Sequence, residues 1–318
     1  MSDAARRVIG IDLGATRIKV GVVSDGELVH EATVPVGGAS GDGRDSHAII
    51  ETLAALVDSI DPDAQSPIGI AAAGVIDQRS GIVRESPNFP SWRDFPLSAE
   101  LAARTARQVY LDNDANAVIL GEATLGVARG TSNVFGYTLG TGVGGGIVID
   151  GRPYRGERGM AAELGHVTVE PRGRACGCGN HGCLERYAGQ HGIITTLSER
   201  GGALAALLLP DPSDAPRLLA DLADRGDADA LAIFAEVGRY LGQAAAAVVH
   251  TLDITTIVLA GGIAGAFTYI APAMEAELRA RTFRSMSEGV RILNGTLGTR
   301  AGVLGAAALS IAPASSRG

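Results

Sequence analysis

Short apolar runs broken at glycine fill the first third of the chain, interleaved with stretches of helical periodicity. Residues 8–13, 18–23 and 28–34 read as strands, and Asp25-Gly26 between the last two is a hairpin signal. The chain therefore opens as a three-stranded meander whose first turn lies in DLGATRIK. Ser46–Ile60 carries Ile49, Ile50, Leu53, Leu56, Val57 and Ile60 at helical spacing, with Ser46 as the expected N-cap. Residues 68–73 predict a buried strand, 87–96 with Trp92 a loop, and 98–107 a helix. Residues 109–111 predict a strand that delivers Asp112, Asn113 and Asp114 at its end, followed by a helix over 115–125.

The pattern then restarts. VFGYTLGTGVGGGIVIDG at 134–151 lies without a gap over VIGIDLGATRIKVGVVSD at 8–25, pairing Gly10 with Gly136 and Gly14 with Gly140. A repeat at this long offset predicts two similar domains, each beginning strand, glycine turn, strand; the short-period repeat classes do not apply. Further helices are expected near 186–198, 214–224, 227–249 and 272–281, with strands at 256–260 and 290–293. A closing helix over 301–311 has the composition to pack back on the first domain.

With 318 residues, 46% hydrophobic and 19% charged, the chain has ample material for a core. No apolar run is long enough to span a bilayer. Residues 1–7 are polar, so no secretory leader is expected and a cytoplasmic setting is. The net charge of −8, with no Lys/Arg-rich block, disfavours a nucleic-acid surface.

All three cysteines fall within eight positions of ELGHVTVEPRGRACGCGNHGCLE, residues 163–185. An odd, clustered count is wrong for a disulfide framework and right for a metal. Cys176, Cys178 and Cys183 with one histidine make a closed tetrahedral zinc set, hence a structural site. His166, at the edge of an expected strand over 166–170, is the better fourth ligand, and His181 is its rival. Such a site would hold Glu163, His166 and Glu185 in one rigid group. The turns at 13–16 and 139–146 can aim backbone N–H groups at phosphate oxygens. Neither matches a P-loop or a dinucleotide fingerprint. Asp12 can hold magnesium through water, while Thr16 and Lys19 can reach phosphates. Asp114 suits either an N-cap or the base of a phosphoryl transfer. Gly261-Gly262 can let a flat base lie close to the backbone.

DLGATRIK, LDNDANA, LGTGVGGG, ELGH with CGCGNHGCLE, and LAGG together resemble the ROK family of sugar kinases, nearly end to end. The resemblance implies an α/β, actin-like (ribonuclease H-like) ATPase fold of two duplicated lobes with a ligand cleft between them. The expected division is a small lobe over 1–117, completed by a helix at 300–312, and a large lobe over 118–299 with the zinc loop. It implies ATP-dependent phosphorylation of glucose at the 6-hydroxyl, with Asp114 as general base. Asn88, Asn113, Asp114, Glu163, His166 and Glu185 would bind the sugar, Asn88 because SPNFPSW resembles a glucokinase loop. His166, Cys176, Cys178 and Cys183 would hold zinc. Asp12, Gly14, Thr16, Lys19, Gly140, Thr141 and Gly142 would handle the Mg²⁺-bound phosphates, and Gly261 and Gly262 the adenosine. Ala15 stands where many members carry a second glycine, which slightly narrows the turn. Another hexose or N-acetylhexosamine such as N-acetylmannosamine, a polyphosphate donor, or a sensor without catalysis remain alternatives. With only seven residues before Val8, the helix-turn-helix domain of the family's repressors is not expected. The family implies a homodimer or homotetramer, and the 227–249 helix suits an interface or a core equally.

Overall fold

The computed structural model describes residues 7–36, 45–62, 66–209 and 211–311. It divides into two compact units. The first is Met1–Ser132, Gly146–Ala162 and Thr299–Gly318; the second is Asn133–Gly145 and Glu163–Gly298.

In the first unit the meander forms as β1 (Arg7–Leu13), β2 (Arg17–Ser24) and β3 (Glu27–Pro35). Asp25 and Gly26 both take positive φ, 51° and 86°, as a two-residue hairpin turn requires. There follow β4 (Ile68–Ala72), β5 (Val75–Asp77), β6 (Ile82–Glu85), β7 (Arg93–Phe95) and β8 (Val109–Asn113). The main sheet has the order β3-β2-β1-β4-β8, with β1, β4 and β8 parallel; β5, β6 and β7 form a separate small sheet. One face of the main sheet buries Ile9, Ile11, Ile18, Val20 and Ile70 with Leu53 and Val57 of α1 (Ser46–Ile60) and Leu101 of α2 (Leu97–Thr105).

The sheet also holds a flat floor of glycines. Gly21, Gly10 and Gly69 are register partners across β2, β1 and β4. The closing helix Ala301–Ile311 lies on them so closely that a Cβ at Gly10 would sit 2.0 Å from Val303 O, and one at Gly69 1.8 Å from Ala306 O. The small residues of AGVLGAAALSI make this approach possible. Residue 312 of the expected helix lies outside the described residues.

In the second unit, β9 (Val134–Leu139) pairs in parallel with β12 (Thr256–Ala260), and β12 with β13 (Arg291–Asn294). With β10 (Val143–Ile149) and β11 (Arg152–Pro153) the strand order is β11-β10-β9-β12-β13, the order of the first sheet repeated. The division of units passes through β10. Helix α3 (Asp114–Thr124) belongs to the first unit, and α4 (Glu185–Ala188), α5 (Gln190–Arg200), α6 (Ala215–Asp224), α7 (Ala228–Leu252) and α8 (Phe267–Arg281) to the second.

Local expectations are corrected at several points. Asp45, not Ser46, caps α1, its side chain accepting from His47 N–H at 3.4 Å. Residues 93–95 of the expected loop form a short edge strand against β6. Helix α8 starts at Phe267 and contains Pro272 in its second turn. The single helix expected near 186–198 is broken at Gly189, whose backbone is extended. Residues 166–170 are not a strand: Leu164–His166 is a 3₁₀ turn, and the loop closes on itself through isolated bridges Thr168–Cys183 and Ala175–His181. Among the described residues no helix is long and apolar enough to cross a membrane.

Candidate active site

The first unit brings two acids together. Asp12, one residue from the end of β1, lies directly opposite Lys19 of β2, and Lys19 Nζ lies 3.8 Å from Asp12 Oδ2. Lys19 Nζ also donates to Thr299 O at 3.1 Å. The turn between them closes by Gly14 N–H donating to Arg17 O at 3.1 Å and leaves Ala15 and Thr16 exposed. Burial pushes the Asp12 carboxyl up, and Lys19 opposes the rise.

At the end of β8 the three residues of DND take three different jobs. Asp112 is buried, receives Arg155 Nε and Nη2 at 2.9 Å each, and accepts from Asn113 N–H at 2.8 Å. Asn113 is the N-cap of α3: its Oδ1 accepts from Ala115 and Asn116 N–H, and its Nδ2 donates to Gly74 O at 3.0 Å. That leaves Asn113 one side-chain N–H for a ligand. Asp114 is the first residue of α3, its Oδ1 accepting from Ala115 N–H at 2.9 Å. Burial pushes its carboxyl up, and the Asp12 charge pushes in the same direction. Asn88 is tied in nearby: its N–H donates to Ser86 Oγ, which donates to Ala73 O, next to the Gly74 that Asn113 holds. The stack of Phe89 on Trp92, with centroids 4.4 Å apart, fixes this loop.

The second unit gathers Gly140, Thr141 and Gly142 between β9 and β10. Gly140 N–H donates to Gly142 O, while Gln190 and His191 N–H, opening α5, donate to Gly140 and Thr141 O at 2.9 and 3.3 Å. These bonds are why the helix must break at Gly189. Gly140, Thr141 and Gly262 line a cavity of about 500 Å³ together with Phe234, Ala220 and Arg217. A Cβ at Gly262 would touch nothing, so its backbone lies bare to the cavity, whereas Gly261, at φ 92°, presses on Leu139. Phe234 and Ala220 carried no recognisable signal, since each sits in the apolar repeat of an ordinary helix.

The expected metal ligands converge. One ligand atom from each of His166, Cys176, Cys178 and Cys183 lies within 4.8 Å of the others, and His181 is outside that group. Cys176 Sγ is 3.6 Å from His166 Nδ1 and Cys178 Sγ is 3.6 Å from Cys183 Sγ. A tetrahedral zinc with its usual bond lengths needs ligand edges of about 3.4–3.8 Å, which these two pairs match, and three thiols with one imidazole suit it by chemistry. Glu185 joins the cluster, its Oε1 3.1 Å from Cys176 Sγ, and its Oε2 lies beside Gly142. The exposed Glu163 precedes the 3₁₀ turn, with its O accepting from His166 N–H at 3.1 Å. Arg174 braces the loop, donating to Arg186 O and Gly192 O and lying over the Tyr187 ring.

A duplicated five-stranded sheet with a glycine turn after each first strand defines the actin-like, ribonuclease H-like ATPase fold. Residues 8–312 match the ROK family, and the chain belongs to that family. It is 37% identical over 311 residues to a glucokinase of Thermotoga maritima, covering 95% of this chain and 96% of the relative. A crystal structure of a ROK family glucokinase from Streptomyces griseus in complex with glucose and AMPPNP matches with a TM-score of 0.78 at 30% identity, over 96% of this chain and 99% of that one. A xylose repressor of Bacillus subtilis is 30% identical over 77% of this chain and 60% of the repressor.

Proposed function

We propose that the protein is a sugar kinase that transfers the γ-phosphoryl group of Mg-ATP to the 6-hydroxyl of glucose. The observation that carries this reading is Asp114: a carboxylate at a helix start, raised by burial and by Asp12, in a chain similar to a glucokinase that binds glucose and AMPPNP. A base with a raised affinity for protons is matched to an alcohol nucleophile. The 6-hydroxyl loses its proton to Asp114, its oxygen bonds to the γ-phosphorus, and the bond to the ADP oxygen breaks. Backbone N–H groups of Ala15 and Thr16 in the first turn and of Thr141 and Gly142 in the second serve the phosphates, and Lys19 adds positive charge. Mg²⁺ enters with ATP as part of the substrate, and Asp12 is the carboxylate suited to its water shell.

His166, Cys176, Cys178 and Cys183 would hold a zinc ion, whose contribution is rigidity. Glu163, His166, Glu185, Asn113 and Asn88 would recognise sugar hydroxyls. The cavity beside Gly140 favours ATP over polyphosphate as donor, because Phe234, Ala220 and Ile263 offer an apolar slot that a polyphosphate chain would not use.

Release of ADP from Mg-ATP, measured with glucose, with N-acetylmannosamine and without sugar, tests this. A strong signal with glucose alone is expected. Turnover only with the other sugar would change the substrate, and silence with both would overturn glucose with ATP in favour of another sugar, another donor or a sensor without catalysis.

A further inference from the structure

A second polar cavity, about 570 Å³, opens in the first unit and is lined by Asp77, Arg79, Ser80, Arg84, Arg158 and Met160. None of these residues has a part in the reaction above. Two loops form it, and both are held firmly. In the β5–β6 turn, Ser80 donates from its N–H to Asp77 Oδ1 and from its hydroxyl to Asp77 O, at 3.3 and 3.4 Å. The loop after β11 closes by Ala161 N–H donating to Arg155 O at 3.1 Å, and Arg155 is anchored on the buried Asp112. Gly159, at φ 82°, lets this loop lie against the backbone of Gln78.

The charges in this cavity do not balance. Arg84 is occupied on both sides, by Asp77 at 2.5 Å and Asp94 at 2.7 Å. Arg79 has one long donation, to Gly156 O at 3.5 Å, and among the described residues Arg158 has no hydrogen bond to protein. Among the described residues neither has a carboxylate within 4.0 Å, in a chain whose net charge is −8. Two exposed guanidinium groups therefore line one concavity without a carboxylate partner, which favours an anion there. Their planar forks match the oxygens of a phosphate. Ser80 adds a neutral hydrogen-bonding group, and Met160 an apolar surface for a carbon skeleton.

We propose that this cavity binds a small phosphate-bearing anion, inorganic phosphate or a phosphomonoester, at a site separate from the two glycine turns. The test is calorimetric titration of the full chain with inorganic phosphate and, separately, with glucose 6-phosphate, with Mg-AMPPNP in excess to fill the donor site. Saturable binding is expected, weakened at least tenfold in Arg79→Gln/Arg158→Gln and unchanged in Arg239→Gln, an exposed position on α7. If the double variant melts early, Arg158→Gln alone is expected to weaken binding at least threefold. Binding of phosphate alone points to the anion as the ligand, and binding of the ester alone to a phosphomonoester, provided either is lost in the double variant. No saturable binding to the wild type, or equal binding to the double variant, would overturn the proposal.

Discussion

The two glycine turns share a frame and differ in chemistry. Both follow the first strand of a five-stranded sheet of the same order, and aligned residue by residue they read DLGATRIK and TLGTGVGG. The first pairs a carboxylate and an amine across its hairpin, Asp12 and Lys19, where the second has Thr138 and Gly145. The first closes Gly14 to Arg17; the second is one residue tighter, Gly140 to Gly142, and its carbonyls are held by the N–H groups that open α5. One turn is built to manage charge, the other to present bare backbone. Duplication preserves the alternation that makes the strands, while the residues at the strand ends are free to diverge.

The sharpest way to break that contrast is at the base that the first unit supplies. Asp114→Asn is expected to lower kcat by about 10²–10⁴-fold while glucose binding, followed by calorimetry, persists. The folded-state carboxyl is raised above its unfolded value, so the ionised form costs stability as pH rises past the unfolded value. The same variant should therefore gain about 0.5–2 kcal/mol at neutral pH. Near-wild-type turnover in Asp114→Asn would refute its role.

In the second unit the comparable test is the metal. Chelation, or Cys176→Ser, should release zinc measurable by a colorimetric indicator, lower the melting temperature and raise the sugar KM more than the ATP KM. An apo protein with the same melting point and kinetics would remove the scaffolding role of the loop.

Most of this was legible because it depends on local rules. The repeat, the hairpin at Asp25-Gly26 and the Cys/His spacing each follow from turn or ligand chemistry within a few residues. What was not legible depends on partners far along the chain. The helix expected over 186–198 breaks at Gly189 because Gln190 and His191 bond a turn some fifty residues earlier, and residues 166–170 fold as a loop because Gly182 packs on Glu170. The DND stretch was legible as a group, but not its division into anchor, cap and first helical residue, which depends on Arg155 and Gly74.

A smaller effect separates the two turns directly. Asp12→Asn removes the like charge that helps raise Asp114, so the acid limb of kcat/KM, displaced above the ordinary carboxylate range in the wild type, should move to lower pH. Thr138→Val, at the aligned position of the second turn, should leave that limb in place. Equal shifts in the two variants would mean that the turns do not divide their work as argued.

The smallest effect concerns Ala162, just before Glu163. It holds φ at 75°, a region that suits glycine and, less well, the aspartates that occupy it at positions 25 and 150 of the two hairpins. Those aspartates have polar side chains that can bond locally; alanine has only a Cβ that crowds the backbone. Ala162→Gly removes a local cost of about 1–2 kcal/mol but adds about 0.4–1 kcal/mol of unfolded-chain freedom. The net gain should be no more than about 1.5 kcal/mol, read from denaturant melts. The added freedom falls next to Glu163, so the sugar KM should rise while the ATP KM stays. A fall in stability would mean that the Ala162 backbone is not strained.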